Sequence, residues 1–426
     1  GAFEALQAAL AMAEGYGFTI NNYDNYVGTA DLNDKERQLD ILAHLDVVPA
    51  GEGWTETKPF EPVVKDGKLF GRGTADDKGP AVAALYAMRA VKELGIPLNK
   101  NVRLILGTDE ECGSSDIVNY YDKEDEAPMT FSPDAEYPLV NTEKGRFPGH
   151  FTAGFEASDA LPRLVSIKAG TKVNVVPGKA KAAVEGFEMA ALEKAAAETK
   201  EETGISFEFA AEGTVTEITA TGIGAHASTP DVGNNALTGL LVFLGKLDFA
   251  SCPQVDMVRK TASLFPHGDV NGKTLGVAME DELSGNLTLS FNMLSVDAAS
   301  MDGEFDGRIP VCGNDENVLE VVRARMAEQG LTLLNKALIP PHHVSADSYF
   351  VKTLLAAFEL YTGRKGECQA LGGGTYVHHL ENGVAFGAAM PETDNKMHGP
   401  DEFVIIDQLV MSAEIFALAI VKLCGK

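Results

Sequence analysis

The chain has 426 residues, with Asp+Glu 62 against Lys+Arg 35 and a formal net charge of −27. Acid in that excess argues against nucleic acid or an anionic membrane as a partner. The 45% hydrophobic and 23% charged content is that of an ordinary globular protein, and five scattered cysteines without a CxxC argue against a disulfide framework or a zinc finger and fit a reducing, cytoplasmic setting.

The length predicts two domains. No run of ~18 apolar residues occurs, so no spanning helix is expected, and no signal peptide is evident. Residues 2–15 read as an Ala-rich amphipathic helix, so the chain opens mid-pattern and residues before Gly1 are expected to be absent. Residues 39–43 form a short apolar run ending at His44, and residues 102–107 a second one ending at the acidic cluster 108–111. Between them residues 81–94 read as a helix closed by Gly95 and Pro97. Strand, helix, strand in this order predicts a doubly wound, mostly parallel sheet, in which ligands sit beyond the carboxyl ends of the strands. The middle of the chain changes character. Residues 172–176, 181–187, 206–211 and 215–221 read as strands around a helix at 189–202, and a second round follows with strands 286–293 and 331–338 around a helix at 317–329. Helix 349–362, a Gly-rich turn at 372–374 and helix 407–423 then return to the first style. The expected fold class is therefore α/β, a doubly wound catalytic domain in two parts (1–145 and 341–426) split by an α+β insert (146–340), itself one unit or two similar ones.

Five short stretches offer the imidazole and carboxylate donors that transition-metal sites need. They are "AHLDVVP" with His44 and Asp46, "GTADDKG" with Asp76 and Asp77, "GTDEEC" with Glu110 and Glu111, "FSPDAEYP" with Asp134, and "KMHGPDEF" with His398. Each alone has a plain structural reading: a strand-end histidine, a helix N-terminal charge cluster, a solvated turn. Together they differ from that background, because each follows an apolar strand or a tight Gly/Pro turn. Adjacent carboxylates at such a point face different ways, so one can bind metal while its neighbour faces substrate.

With "GAHAS" and "GGGTY" added, seven motifs stand in the order and approximate spacing of a known family. Over nearly its whole length the chain resembles the co-catalytic zinc peptidases of the aminoacylase/glutamate-carboxypeptidase superfamily, and among them the bacterial carnosinase-like dipeptidases of the PepV type. The resemblance implies a zinc-peptidase-like catalytic domain with an inserted lid and two divalent ions, Zn²⁺ first and Mn²⁺ or Co²⁺ as alternatives. It implies Asp76 as the bridging carboxylate, His44 and Asp134 completing one metal, Glu111 and His398 the other, Glu110 as general base, and Asp46 orienting His44. Asp77 is expected to be a bystander. His226 would stabilise the oxyanion, Asn174 and Arg308 would grip the substrate, and the backbone of Gly373, Gly374 and Thr375 would take its carboxylate. Relatives usually carry an arginine two residues after the tyrosine of "GGGTY"; here it is His378. Two alternatives stand: His378 takes over that anchoring role, or it packs beside the site. The function implied is metal-dependent hydrolysis of dipeptides, with an N-acyl amino acid deacylase or desuccinylase as the alternative. A scaffold protein of the same fold should have lost a ligand or the base, and none is lost. The substrate partner is a dipeptide, and the long insert implies a monomer.

Overall fold

The computed structural model describes residues 1–425, which fall into two compact units, Gly1–Glu143 together with the segment from His342 onward, and Lys144–Pro341. In the first, strands Asn101–Gly107, Arg37–His44, Met129–Ser132 and Gly383–Ala385 lie side by side in that order and all run parallel. Antiparallel strands flank this centre, with Thr19–Tyr23 and Val27–Asp31 at one edge and Leu139–Glu143 and His342–His343 at the other. Leu39, Ile41, Leu42 and Ala43 are fully buried, and the acid between them, Asp40, is buried as well, so both faces of the strand are covered and no apolar/polar alternation marks a solvent face. Helix Lys78–Glu93 turns Ala81, Ala84, Leu85, Met88 and Val91 inward at helical spacing and leaves Val82 and Tyr86 exposed. It packs against helix Ile406–Cys424. Truncating Leu85 to Ala inside this layer should cost about 2–5 kcal/mol, the range for opening a core cavity.

The register of the parallel centre positions the chemistry. His44 lies opposite Gly107, so strands Arg37–His44 and Asn101–Gly107 end level with each other. The acidic cluster 108–111 therefore leaves the sheet beside His44, at the carboxyl ends of the strands.

The second unit is built on one eight-stranded antiparallel sheet, in the order Ser206–Glu212, Val215–Thr221, Lys179–Glu185, Arg163–Ala169, Thr288–Val296, Ser300–Ile309, Gly145–Gly154 and Thr332–Leu333. Its core is aromatic, with Phe265 stacked on Phe291 at 4.4 Å and Phe147, Phe151 and Phe305 close by. Across one strand pair Gly149 faces Phe305 and Gly303 faces Phe151. A Cβ on Gly149 would lie 2.0 Å from the Phe305 ring, so the glycines make room for the rings opposite them.

Several elements differ from the sequence reading. Of residues 172–176 only Val175–Val176 is a strand, paired with Ala225–His226. Of residues 331–338 only Thr332–Leu333 joins the sheet. Beyond it Asn335 donates to the Pro148 carbonyl and its own carbonyl accepts from Arg323, so side chains replace the ladder. The helix expected at 317–329 is a π-turn Asp315–Leu319 followed by α-helix Glu320–Glu328. Helices Ala236–Gly245 and Pro253–Leu264 were not legible. The first is buried nearly all round and so shows no apolar periodicity.

Candidate active site

His44 ends its strand with a side chain only 1% exposed. Its backbone N–H donates to Asp77 Oδ2 at 3.1 Å, so Asp77 is not the bystander expected from sequence; it fixes the end of the strand. The ring faces acids on both sides, with Nδ1 3.3 Å from Asp46 Oδ1, and Nε2 2.8 Å from Asp76 Oδ1 and 3.8 Å from Asp134 Oδ2. Asp76 sits in the tight loop before helix Lys78–Glu93. A Cβ at Gly79 would stand 2.1 Å from the Thr74 carbonyl oxygen, which explains the glycine of "DKG". The second oxygen of Asp76, Oδ2, lies 2.8 Å from His398 Nε2, and that nitrogen lies 3.2 Å from Glu111 Oε1.

One carboxylate thus turns one oxygen toward His44 and the other toward His398. In each trio, His44–Asp76–Asp134 and Asp76–Glu111–His398, the donor atoms lie within 4.8 Å of one another; His44–Glu110–Glu111 forms a third such group. Glu110 and Glu111 are held by the Asp46 carboxylate, which accepts both backbone N–H groups at 3.2 and 3.0 Å.

The electrostatics describe an excess of buried acid. Burial pushes Asp134 and Asp77 well above the usual carboxylate range, with Asp76 adding to both. Burial also pushes Glu110 up to about 7, with Glu111, Asp76 and Asp46 contributing and His44 opposing. Burial works against ionised Asp76, but His398 and His44 hold it well below its ordinary value. His398 is raised to about 10 by Asp76 and then Glu111. Six carboxylates (Asp46, Asp76, Asp77, Glu110, Glu111 and Asp134) around two imidazoles are a donor set that divalent cations complete: carboxylate oxygen and imidazole nitrogen suit Zn²⁺, Mn²⁺ and Co²⁺ alike.

The remaining sequence-predicted residues fall in two places. In the first unit, turn 372–375 is tied to Glu143, which is 1% exposed and accepts the Thr375 N–H at 3.1 Å and its hydroxyl at 3.0 Å. The other oxygen of Glu143 takes His378 Nδ1 at 2.9 Å. Gly374 packs on this pair, with a Cβ there reaching Glu143 Oε2 at 3.4 Å and His378 Nδ1 at 3.6 Å. In the second unit, the backbone carbonyl of Asn174 accepts the Ala227 N–H beside His226, whose Nδ1 lies 2.7 Å from the Ser228 hydroxyl. Arg308 is buried and grips Asp306 with Nε and Nη2 at 2.6 and 2.9 Å. Burial raises Asp306, while Arg308, His226 and Arg146 pull it down, so these groups share one neighbourhood of that unit.

Against known proteins, the description "Peptidase family M20/M25/M40" matches residues 41–422. The chain belongs to this family. Among curated relatives it is 35% identical to the putative dipeptidase YtjP of Bacillus subtilis (strain 168), covering 98% of this chain and 90% of that one. It is 34% identical to a Beta-Ala-Xaa dipeptidase of Lactobacillus delbrueckii subsp. lactis, over 99% and 90% of the two chains. Among solved structures the fold is similar to aminoacylhistidine dipeptidase from Vibrio alginolyticus, with a TM-score of 0.62 at 13% identity, over 99% of this chain and 92% of that one. It is also similar to human carnosine dipeptidase 1, with a TM-score of 0.58 at 14% identity, over 99% and 90%.

This M20 peptidase also uses residues that sequence reasoning left without a role. Buried Asp116 accepts the Thr108 and Asp109 N–H groups and the Tyr376 hydroxyl, all on Oδ2, and so anchors the loop that carries Glu110 and Glu111. Asp401 accepts from Thr55 and Glu56. Glu402, also without a role from sequence, is fully buried against Arg72. The signal available in sequence was an acid next to a motif; the backbone N–H groups it captures lie as many as 329 residues away.

Proposed function

We propose that this M20 peptidase is a metal-dependent dipeptidase whose two donor sets share Asp76. The observation that carries the reading is the split of the Asp76 carboxylate, Oδ1 beside His44 and Oδ2 beside His398, with Asp76 common to the trio completed by Asp134 and the trio completed by Glu111. His44 and Asp134 would hold one divalent cation and Glu111 and His398 the other, with Zn²⁺, Mn²⁺ and Co²⁺ all compatible. When bound, such a pair supplies Lewis-acid polarisation and an acidified water. Glu110, half-buried and held at its backbone by Asp46, accepts the proton of the attacking water and returns it to the leaving amine. Asp46 orients the His44 ring through Nδ1. The N–H groups of Gly373 and Gly374 take the substrate carboxylate; Thr375, expected to join them, instead gives its N–H and hydroxyl to Glu143, against which His378 is also set. For residues of the second unit the family resemblance implies an oxyanion donor in His226 and substrate-contacting roles for Asn174 and Arg308; within that unit Asp306 orients Arg308. The working form is a monomer, which light scattering tests.

The names of the relatives support dipeptides over N-acyl amino acids, so the deacylase reading is not favoured. A panel of dipeptides and N-acyl amino acids, assayed with Zn²⁺ or Mn²⁺ added, decides. Faster turnover of dipeptides is expected; hydrolysis confined to N-acyl amino acids would overturn the proposal.

A further inference from the structure

Arg72 and Glu402 form an ion pair with side chains 1% and 0% exposed. Both do more than pair. Glu402 Oε1 accepts the backbone N–H groups of Gly73 and Ala75 at 3.0 Å and of Asp76 at 3.3 Å, while Oε2 takes Arg72 Nη1. The other end of the guanidinium, Nη2, donates toward the carbonyl oxygens of His398 and Gly399 at 3.2 Å and of Ala50 at 3.3 Å. One buried pair therefore ties together the loop that follows His44, the loop that carries Asp76 and the loop that carries His398.

The tie matters unequally for the two donor sets. His44 is packed at a strand end and held by Asp77. His398 has neither support: its side chain is 54% exposed, and its backbone is left-handed at φ +62°, a conformation that L residues avoid. Lys396 and Asp401 in the same turn share that hand, at φ +54° and +57°. A strained turn persists only when its surroundings fix it, and the Arg72 fork is bonded to the two carbonyls at its centre. A lysine could keep the charge opposite Glu402 but not the planar fork that reaches several acceptors at once.

We propose that Arg72 and Glu402 are positioning residues for the Asp76–Glu111–His398 cation site, setting its affinity while leaving the His44–Asp134 side little changed. This rests on the reading above that both donor sets hold divalent cations. The test is titration of the chelator-stripped chain with Zn²⁺ against a chromophoric competitor, with bound zinc counted by mass spectrometry. Wild type, Arg72→Lys, Arg72→Gln/Glu402→Gln, and His398→Ala as reference are compared, together with melting of the metal-free proteins. Wild type should bind two ions. Arg72→Lys should weaken one of them about 10- to 100-fold, the usual effect of a group that orients a ligand, and leave the other unchanged, as a milder form of His398→Ala. The double variant keeps a Gln oxygen for the loop N–H groups and removes both buried charges, so its metal-free melting temperature should lie near wild type. Its second ion should nevertheless stay weak. Recovery of both affinities in the double variant, or parallel loss of both ions in step with metal-free melting temperature, overturns the proposal, because a purely structural pair behaves that way. A wild type that binds fewer than two ions instead overturns the two-cation reading itself.

Discussion

Replacing Glu110 by Gln separates a proton carrier from a metal ligand. The exchange keeps the shape of the side chain, and the backbone of residues 110 and 111 stays fixed by Asp46 at 3.2 and 3.0 Å, so the loop should not move. What is lost is one oxygen able to take and return a proton. Loss of a general base costs about 10²- to 10⁴-fold in kcat, or roughly 3–5 kcal/mol in the barrier. Stability should not fall with it. Burial and the charges of Glu111, Asp76 and Asp46 raise the Glu110 carboxyl to about 7, so its ionisation opposes folding. A raised carboxyl removes stability as pH climbs from its unfolded value toward its folded one, and an amide does not titrate there. The metal-free Glu110→Gln protein should therefore melt no lower than wild type at pH 8. The assay pairs dipeptide turnover with zinc counted per chain, beside Glu111→Gln, which should lose metal. Glu110 also belongs to a donor group with His44 and Glu111, so the rival role is concrete. Metal lost from Glu110→Gln as readily as from Glu111→Gln, or kcat within tenfold of wild type, would refute the assignment.

Two further predictions concern residues away from the reacting atoms. Asp40 is fully buried, 3.6 Å from Arg37 Nε, and burial pushes its carboxyl up to about 7. Because an unfolded Asp ionises near 3.9, the site takes on the order of 4 kcal/mol of stability away between about pH 4 and pH 7. Asp40→Asn should gain on wild type across that window in urea unfolding, and a constant difference over the same range would contradict the buried, neutral carboxyl. Glu143→Ala should release turn 372–375 and His378 together, raising KM for dipeptides several-fold with a smaller fall in kcat and an unchanged zinc count; an unchanged KM would remove Glu143 from the account of substrate binding.

Two strands of the parallel centre were legible because each is a short, mostly apolar run that ends abruptly in a charged or turn residue, as residues 39–44 and 102–108 do; Met129–Ser132 and Gly383–Ala385 are too short to stand out. The donors were legible for the same reason: His44 and the acids at 109–111 stand where apolar sequence stops, and Asp134 follows a Ser-Pro turn. Less of the second unit could be read. A strand such as Gly145–Gly154 is interrupted by glycine and proline, and its glycines make sense only against the rings of Phe305 and Phe151 on the neighbouring strand. Helix Ala236–Gly245 has no polar face to set a period. The carboxylates that hold the loops were missed for a different reason. Asp77, Asp116, Glu143 and Glu402 act by accepting backbone N–H groups, and nothing in a residue type announces which distant amide it will meet. Sequence reasoning therefore finds groups that do chemistry sooner than groups that hold them in place.

The central claim is that dipeptide hydrolysis depends on cations held by His44, Asp76, Glu111, Asp134 and His398. Its most direct test is to measure turnover and bound divalent metal on the same sample through chelation and re-addition of Zn²⁺ or Mn²⁺. The account predicts two ions per chain at full activity, loss of turnover together with a lower melting temperature on stripping, because a ligand bound only to the folded state stabilises it, and return of both on re-addition. Full dipeptide turnover in a sample verified to be metal-free would contradict it.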